Sequence, residues 1–265
     1  MKTLKEKHQS WMPKWIVSIS TGFSLLFTGL LLFSILGKHV IKDEFFRIAL
    51  IVIASLGLGI FTFLTSASLT MRKKFAYQNK NGIARKIIDS LAEYANLTKG
   101  EKGLDVGCGS GSLVIACAKK NPEAIFTGVD RWGKEYEYSK QLCENNAKVN
   151  NVTNVIFQKG DATKLDFPSE TFDLVMSNLV YHNILRNRQD LLLETLRTLK
   201  KGGTFVIHDI MNKLFYGDMT SFVERLKEMG YESVELIDTD KGKFVNKFLA
   251  GFIFLKGSKL LVGKK

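Results

Sequence analysis

Two long uncharged stretches near the start constrain this chain of 265 residues more than any other feature. Trp15 to Gly37 is 23 residues without a charge, and Ile48 to Met71 is another 24. Between them, Lys38 to Arg47 carries five charged side chains. At 1.5 Å per residue a 23-residue helix is about 34 Å long, enough for a hydrocarbon core of about 30 Å. The expectation is a hairpin of two transmembrane helices over 15–71, at about 15–37 and 48–71. Pro13 and Trp15 mark its first edge, where interfacial aromatics collect. A secretory signal has an apolar core of only about 7–15 residues, so the first stretch is too long for one. A pair of buried helices would carry a polar stripe, and here Ser, Thr and Gly are scattered.

The basic residues orient the hairpin. The tail, 1–14, holds Lys2, Lys5, Lys7 and Lys14, and 72–86 holds Arg72, Lys73, Lys74, Lys80, Arg85 and Lys86 with no acid. The loop between the helices offers only Lys38, Lys42 and Arg47, offset by Asp43 and Glu44. The positive-inside rule then predicts an integral membrane protein of two spans, with both termini and everything after the second span cytoplasmic. The formal net charge of +12 belongs mostly to the segments beside the hairpin, which suits anionic lipid headgroups. A nucleic-acid partner would want a basic stripe across the folded domain and is not expected. Cys108, Cys117 and Cys143 lie in the cytoplasmic part and lack C-x-x-C spacing, against a disulfide framework or a metal site.

After residue 72 the pattern changes. Residues 72–98 read as a basic linker and an amphipathic helix, with Ile83, Ile87, Ile88 and Leu91 at helical spacing. Over 99–265, strand candidates at Gly103–Val106, Ala124–Val129, Asn154–Lys159, Phe172–Ser177 and Gly203–Asp209 alternate with segments of helical character, the clearest Gln189–Lys200. That alternation predicts an α/β fold: a doubly wound, mostly parallel sheet with helices on both faces. Near the end, Ser221 to Glu224 reads as a capping box opening a helix that stops at Gly230. Tyr231–Asp238 and Phe252–Val262 then read as an antiparallel strand pair with no helix between them.

The chemistry concentrates at Leu104-Asp-Val-Gly107-Cys108-Gly109-Ser-Gly111-Ser112, between a strand and a helix. Glycines there permit a tight turn and close approach of a ligand to the backbone. Asp105 would repel a pyrophosphate and suits a ligand carrying an ammonium group. Asp130, with Arg131 beside it, ends the second strand, where an acid can accept hydrogen bonds from both hydroxyls of a ribose. Asp161, in Gly160-Asp161-Ala162, ends the third, where it can accept from an exocyclic amine. Three acids at successive strand ends would face one crevice.

On these residues the chain resembles the class I S-adenosylmethionine-dependent methyltransferases. An acid followed by G-x-G-x-G is matched by Asp105 to Gly111, the ribose-binding acid by Asp130, and the adenine-side motif by Gly160 to Ala162. The fourth-strand motif resembles Phe172 to Asn178, and the fifth Leu196 to Phe205. The likeness covers roughly 82–265 and is strongest to small-molecule enzymes of the quinone-biosynthesis type. It implies a seven-stranded Rossmann-like sheet with the last strand antiparallel. It also implies S-adenosyl-L-methionine as cofactor, held by Asp105, Gly107, Cys108, Gly109, Gly111, Asp130, Arg131, Asp161, Ala162 and Asn178. The membrane hairpin lies outside the family pattern.

Methyl transfer needs a base only when the nucleophile must lose a proton. His182, in the loop after the fourth strand, is the candidate, set against a plain packing role. Tyr181 is a candidate wall of the acceptor pocket, His208 and Asp209 lie in the next loop, and Phe215 and Tyr216 are candidates for an apolar entrance. Ser177 to Val180 departs from the Asn/Asp-Pro-Pro-Tyr pattern of enzymes that methylate base or glutamine amines. The expected partner is therefore a small acceptor, membrane-dissolved if the hairpin serves delivery. A membrane-anchored NAD-type oxidoreductase and a non-catalytic scaffold are the competing readings.

Overall fold

The first uncharged stretch folds as helix α1 (Lys14–Leu36) and the second as α2 (Glu44–Lys74). The structure is a computed structural model; it describes residues 10–133 and 138–265 and contains two compact units, Ser10–Ala76 and Tyr77–Lys265. Lys2, Lys5 and Lys7 of the expected basic tail lie outside the described residues. Both helices are long and apolar enough to cross a membrane. Their hydroxyls are largely absorbed internally: Ser20, Thr28, Ser34 and Thr65 donate to carbonyls one turn back. Asp43 caps α2 by accepting from Phe46 N at 2.7 Å, and Arg72, Lys73 and Lys74 complement its carboxyl end. Phe61 stacks on Phe23 and Phe27 at 4.7 and 5.6 Å between ring centres. Gly57 lets the helices approach there, since a Cβ on it would lie 2.4 Å from the Phe27 ring.

The second unit is a seven-stranded sheet with layers of helices. Its strands are β1 (Lys102–Val106), β2 (Ile125–Asp130), β3 (Val155–Lys159), β4 (Phe172–Asn178), β5 (Leu199–Ile210), β6 (Ser233–Asp238) and β7 (Ser258–Lys264). They run in the order β3-β2-β1-β4-β5-β7-β6. The first five are parallel, and β7 is antiparallel to both its neighbours. The fold is the Rossmann-like one expected.

Side-chain alternation sets the layers. Leu104, Val106, Val175, Phe205 and Ile207 pack into one core with residues of α6 (Arg188–Arg197) and α8 (Met219–Glu228). The alternate positions, Asp105 and Met176 among them, face α4 (Ser112–Lys120), where Cys117 Sγ lies 3.4 Å from Met176 Sδ. The amphipathic helix is α3 (Ile83–Ala92); it packs on α4, and its Ile83, Ile87, Ile88 and Leu91 are all buried.

Several local expectations are corrected. Among the described residues no helix joins β3 to β4; residues 160–171 form turns around a bridge between Asp161 and Lys164. The cap of α8 is Asp218, which accepts from Thr220 N and Ser221 N, so the helix starts one turn before the expected Ser221 box. The run expected as a strand from Phe252 instead begins as helix: α9 (Lys247–Phe252), capped by Asn246, lies between β6 and β7.

Candidate active site

Parallel strands bring the carboxyl ends of β1 to β5 to one sheet edge. The strand order reverses beside β1, between β2 and β4, the place where open α/β sheets form a crevice. The glycine loop starts there. Gly107, Gly109 and Gly111 have φ of +74°, +56° and +82°, a region that L side chains rarely adopt. Glycines at these positions are expected to let a ligand approach the backbone closely. In the structure the space beside each is also shaped by the protein. A Cβ would lie 2.3 Å from Val180 at Gly107, 3.2 Å from the Tyr138 ring at Gly109 and 3.1 Å from Phe157 at Gly111. Gly107→Ala is therefore expected to cost about 1–3 kcal/mol through strain and overpacking. An unchanged thermal midpoint would contradict this.

The loop is clamped from β2 and α5 (Lys140–Val149). Gly109 N donates to Asp130 Oδ2 at 2.9 Å, and Trp132 N to Asp130 Oδ1 at 2.6 Å. Trp132 Nε1 donates to Gly109 O at 3.0 Å, and Asn146 Nδ2 to Ser110 O at 2.9 Å. Cys143 Sγ lies 3.1 Å from Gly109 O. All three cysteines are buried, and burial pushes the Cys108 and Cys117 thiols up, so they stay protonated.

Asp105 is only 1% exposed and sits under the loop beside the start of α4. Burial pushes its carboxyl up to about 8, against a backbone hydrogen bond from Val114, and Asp130 adds repulsion. Its Oδ2 has no hydrogen-bond partner. A buried orphaned carboxyl oxygen in this position fits a ligand that brings a cation or donor. Asp161 is exposed; a hydrogen bond from Thr163 N at 2.8 Å heads the interactions that hold its carboxyl below the usual range, and Arg131 contributes. Arg131 is exposed, and Ala162 is half-buried against the core.

The β4 and β5 loops lie at the same edge of the sheet. Asn178 ends β4, and Leu179, at φ +57°, turns the chain into a short helical turn, Tyr181–Asn183. Asn178 Oδ1 lies 2.8 Å from His208 Nδ1, and His208 Nε2 lies 3.1 Å from Thr239 Oγ1. Burial pushes His208 down to about 4, which keeps it neutral. As the amide is placed, His208 then donates from Nδ1, so Asn178 keeps both amide hydrogens for other partners.

His182 is brought against Asp209, 27 residues later, with Nδ1 2.5 Å from Asp209 Oδ1. Asp209 is fully buried at the end of β5 and also accepts from Tyr181 N at 2.7 Å. Burial works to raise its carboxyl, but its hydrogen bonds, the one from His182 foremost, win and hold it below the ordinary value. The His182 side chain is 18% exposed. The sequence placed these two residues in neighbouring loops without pairing them. Two polar groups beside the pair carried no local signal. Arg188 Nε is buried without a partner while Arg188 Nη2 lies 3.5 Å from His182 O, and the buried Tyr216 hydroxyl faces Asp209 and helps hold its carboxyl down. Tyr181 and Tyr216 are core residues rather than a pocket wall and an entrance: Tyr181 is fully buried, its hydroxyl 2.7 Å from Thr195 Oγ1.

A glycine turn, acids at or near the ends of successive strands and a histidine–aspartate pair lie at one edge of the sheet. A family model described as a methyltransferase domain matches residues 97–247, more than half of the chain, and the chain belongs to that family. It is 26% identical over 156 residues to the 27-O-demethylrifamycin SV methyltransferase of Amycolatopsis mediterranei, covering 59% of this chain and 56% of the other. It is 32% identical over 112 residues to the demethylmenaquinone methyltransferase of a Geobacillus species, covering 42% and 46%. The chain thus spans about half the length of these curated relatives. Among solved structures, the cyclase SpnF aligns with a TM-score of 0.51 at 20% identity, over 69% of this chain and 81% of that one. At that identity the likeness shows the fold alone.

Proposed function

We propose that this protein transfers the methyl group of S-adenosylmethionine to a hydroxyl-type nucleophile on a small lipophilic acceptor, at the cytoplasmic face of a membrane. The observation that carries the reading is the 2.5 Å contact between His182 Nδ1 and buried Asp209. With Nδ1–H held by an anionic carboxylate, Nε2 is left as an acceptor. His182 takes the acceptor's hydroxyl proton as the oxygen becomes nucleophilic, and Asp209 stabilises the resulting imidazolium. S-adenosylmethionine supplies an activated methyl group on a sulfonium, so the chain's work is mostly alignment and exclusion of water.

Each predicted residue has a place in this reading. Gly107, Cys108, Gly109 and Gly111 form the turn against which the cofactor lies, and buried Asp105 answers its ammonium group. Asp130 and Arg131 serve the ribose side, Asp161 and Ala162 the adenine side, and Asn178 offers its free amide hydrogens. The helices α1 and α2 span the bilayer as a hairpin with both termini cytoplasmic and keep the site near membrane-dissolved acceptors. Relatives named for demethylrifamycin and demethylmenaquinone support a small-molecule acceptor.

Incubation with methyl-labelled S-adenosylmethionine and a membrane lipid extract tests the reading. Label in an extractable lipophilic product, lost in His182→Ala, is expected; label in protein or nucleic acid alone would contradict it. Asp130→Ala is expected to weaken S-adenosylhomocysteine binding by about 1–3 kcal/mol, the scale of a lost charged hydrogen bond. Unchanged affinity in the folded variant would remove Asp130 from the ribose side.

A further inference from the structure

The segment between β6 and β7, residues 239–257, is tied down by its inward face. Phe244, Val245, Ala250, Ile253 and Leu255 are buried, and Asp240 Oδ2 accepts from Gly257 N at 2.7 Å. Its outward face is different. Phe248 is 88% exposed and Phe254 75%, among the most exposed large apolar side chains of the unit. Phe254 adopts φ +61°, which turns it outward between buried Ile253 and Leu255. Leu214, 87% exposed, lies two residues from Asn212, against which Gly257 packs.

Charge and position identify what such a face meets. From Lys241 to the end of the chain there is no acidic residue, and Lys243, Lys247 and Lys256 are exposed around the two phenylalanines. Outward aromatics with exposed lysines close by in the sequence match an anionic bilayer interface, with rings among the acyl chains and ammonium groups at the phosphates. The register places the segment at the catalytic edge, because Ile210 at the end of β5 pairs with Ser258 at the start of β7.

We propose that residues 241–256 form a second membrane contact, separate from the hairpin, which docks the catalytic edge of the sheet on an anionic lipid surface through Phe248 and Phe254. It rests on the bilayer-anchored reading of α1 and α2 but not on the methyl-transfer chemistry.

The test is spin-label depth in the full chain reconstituted into phosphatidylcholine vesicles with and without phosphatidylglycerol. Labels go on Phe248→Cys, Phe254→Cys, a hairpin position, Leu25→Cys, and an opposite-edge position, Glu123→Cys. The native cysteines are buried. Relaxation by dissolved oxygen is compared with relaxation by a water-soluble nickel complex. The labels at 248 and 254 are expected to shift from aqueous to lipid accessibility when phosphatidylglycerol is present, while 123 stays aqueous. Lys243→Glu combined with Lys247→Glu should abolish that shift and leave 25 deep. Aqueous labels at 248 and 254 in both vesicles, with 25 deep, would overturn the docking and spare the hairpin. An aqueous label at 25 would overturn the hairpin instead. Spin–spin broadening at 248 that disappears on dilution with unlabelled chain would mean a second copy covers this face, and would also overturn the proposal.

Discussion

Replacing His182 with alanine is expected to lower kcat by about 10²–10⁴-fold, the usual contribution of a positioned general base. Affinity for S-adenosylhomocysteine should be unchanged, because His182 is assigned to the acceptor's proton and not to the cofactor. Asp209→Asn should lose a comparable factor for a different reason. In the proposed mechanism the carboxylate fixes Nδ1–H and stabilises the imidazolium; an amide would favour the other tautomer and leave no charge. The double variant should be hardly worse than either single one, since the pair acts as a unit. A His182→Ala protein retaining nearly full kcat would return the residue to a packing role. Fully additive losses would separate it from Asp209.

The second large effect is a stability that falls as pH rises. Asp105 is pushed up to about 8 when folded, against an ordinary value near 3.8. Between these limits the folded chain holds a proton that the unfolded chain has released, so stability is lost as pH climbs towards the folded value. His208 acts in the opposite sense. Held down to about 4 when folded, it contributes stability above its ordinary value of 6.5 that is lost as pH falls towards 4. The two oppose each other below pH 6.5, which leaves 6.5 to 8 as the window where Asp105 dominates. Over that span the cofactor-free protein is expected to lose about 1.5 kcal/mol, since the slope of about 1.36 kcal/mol per pH unit is halved at the folded value. Asp105→Asn should remove the slope. Urea unfolding of the full chain in detergent measures it, and a flat wild-type profile would contradict the buried neutral carboxyl. The same burial makes a cationic ligand consequential: an ammonium group beside Asp105 should release its proton on binding and flatten the profile.

Much of this architecture is written locally. The glycine loop needs three residues with positive φ within five positions, and Gly107, Gly109 and Gly111 announce it. Alternating strands and helices announce the parallel sheet, and Asp105, Asp130 and Asp161 fall near strand ends because their spacing follows the repeat. What stayed hidden depends on distant partners. The pairing of His182 with Asp209 spans 27 residues and exists only because β4 and β5 are neighbours. Tyr216 reads as a loop aromatic until the buried core closes over it. The expected strand Phe252–Val262 starts in an apolar run, yet Phe252 is the last residue of a helix that Asn246 caps, and the strand begins only at Ser258; short apolar runs are ambiguous on pattern alone. Asp218 outcompetes Ser221 as a cap because its carboxylate reaches two backbone N–H groups.

Calorimetric titration of the full chain in detergent with S-adenosylmethionine, S-adenosylhomocysteine and NAD tests the central claim most directly. Saturable one-site binding of both sulfur compounds, weakened in Asp130→Ala and absent for NAD, is the predicted result. Binding of NAD alone, or of none of the three to a folded chain, would contradict it.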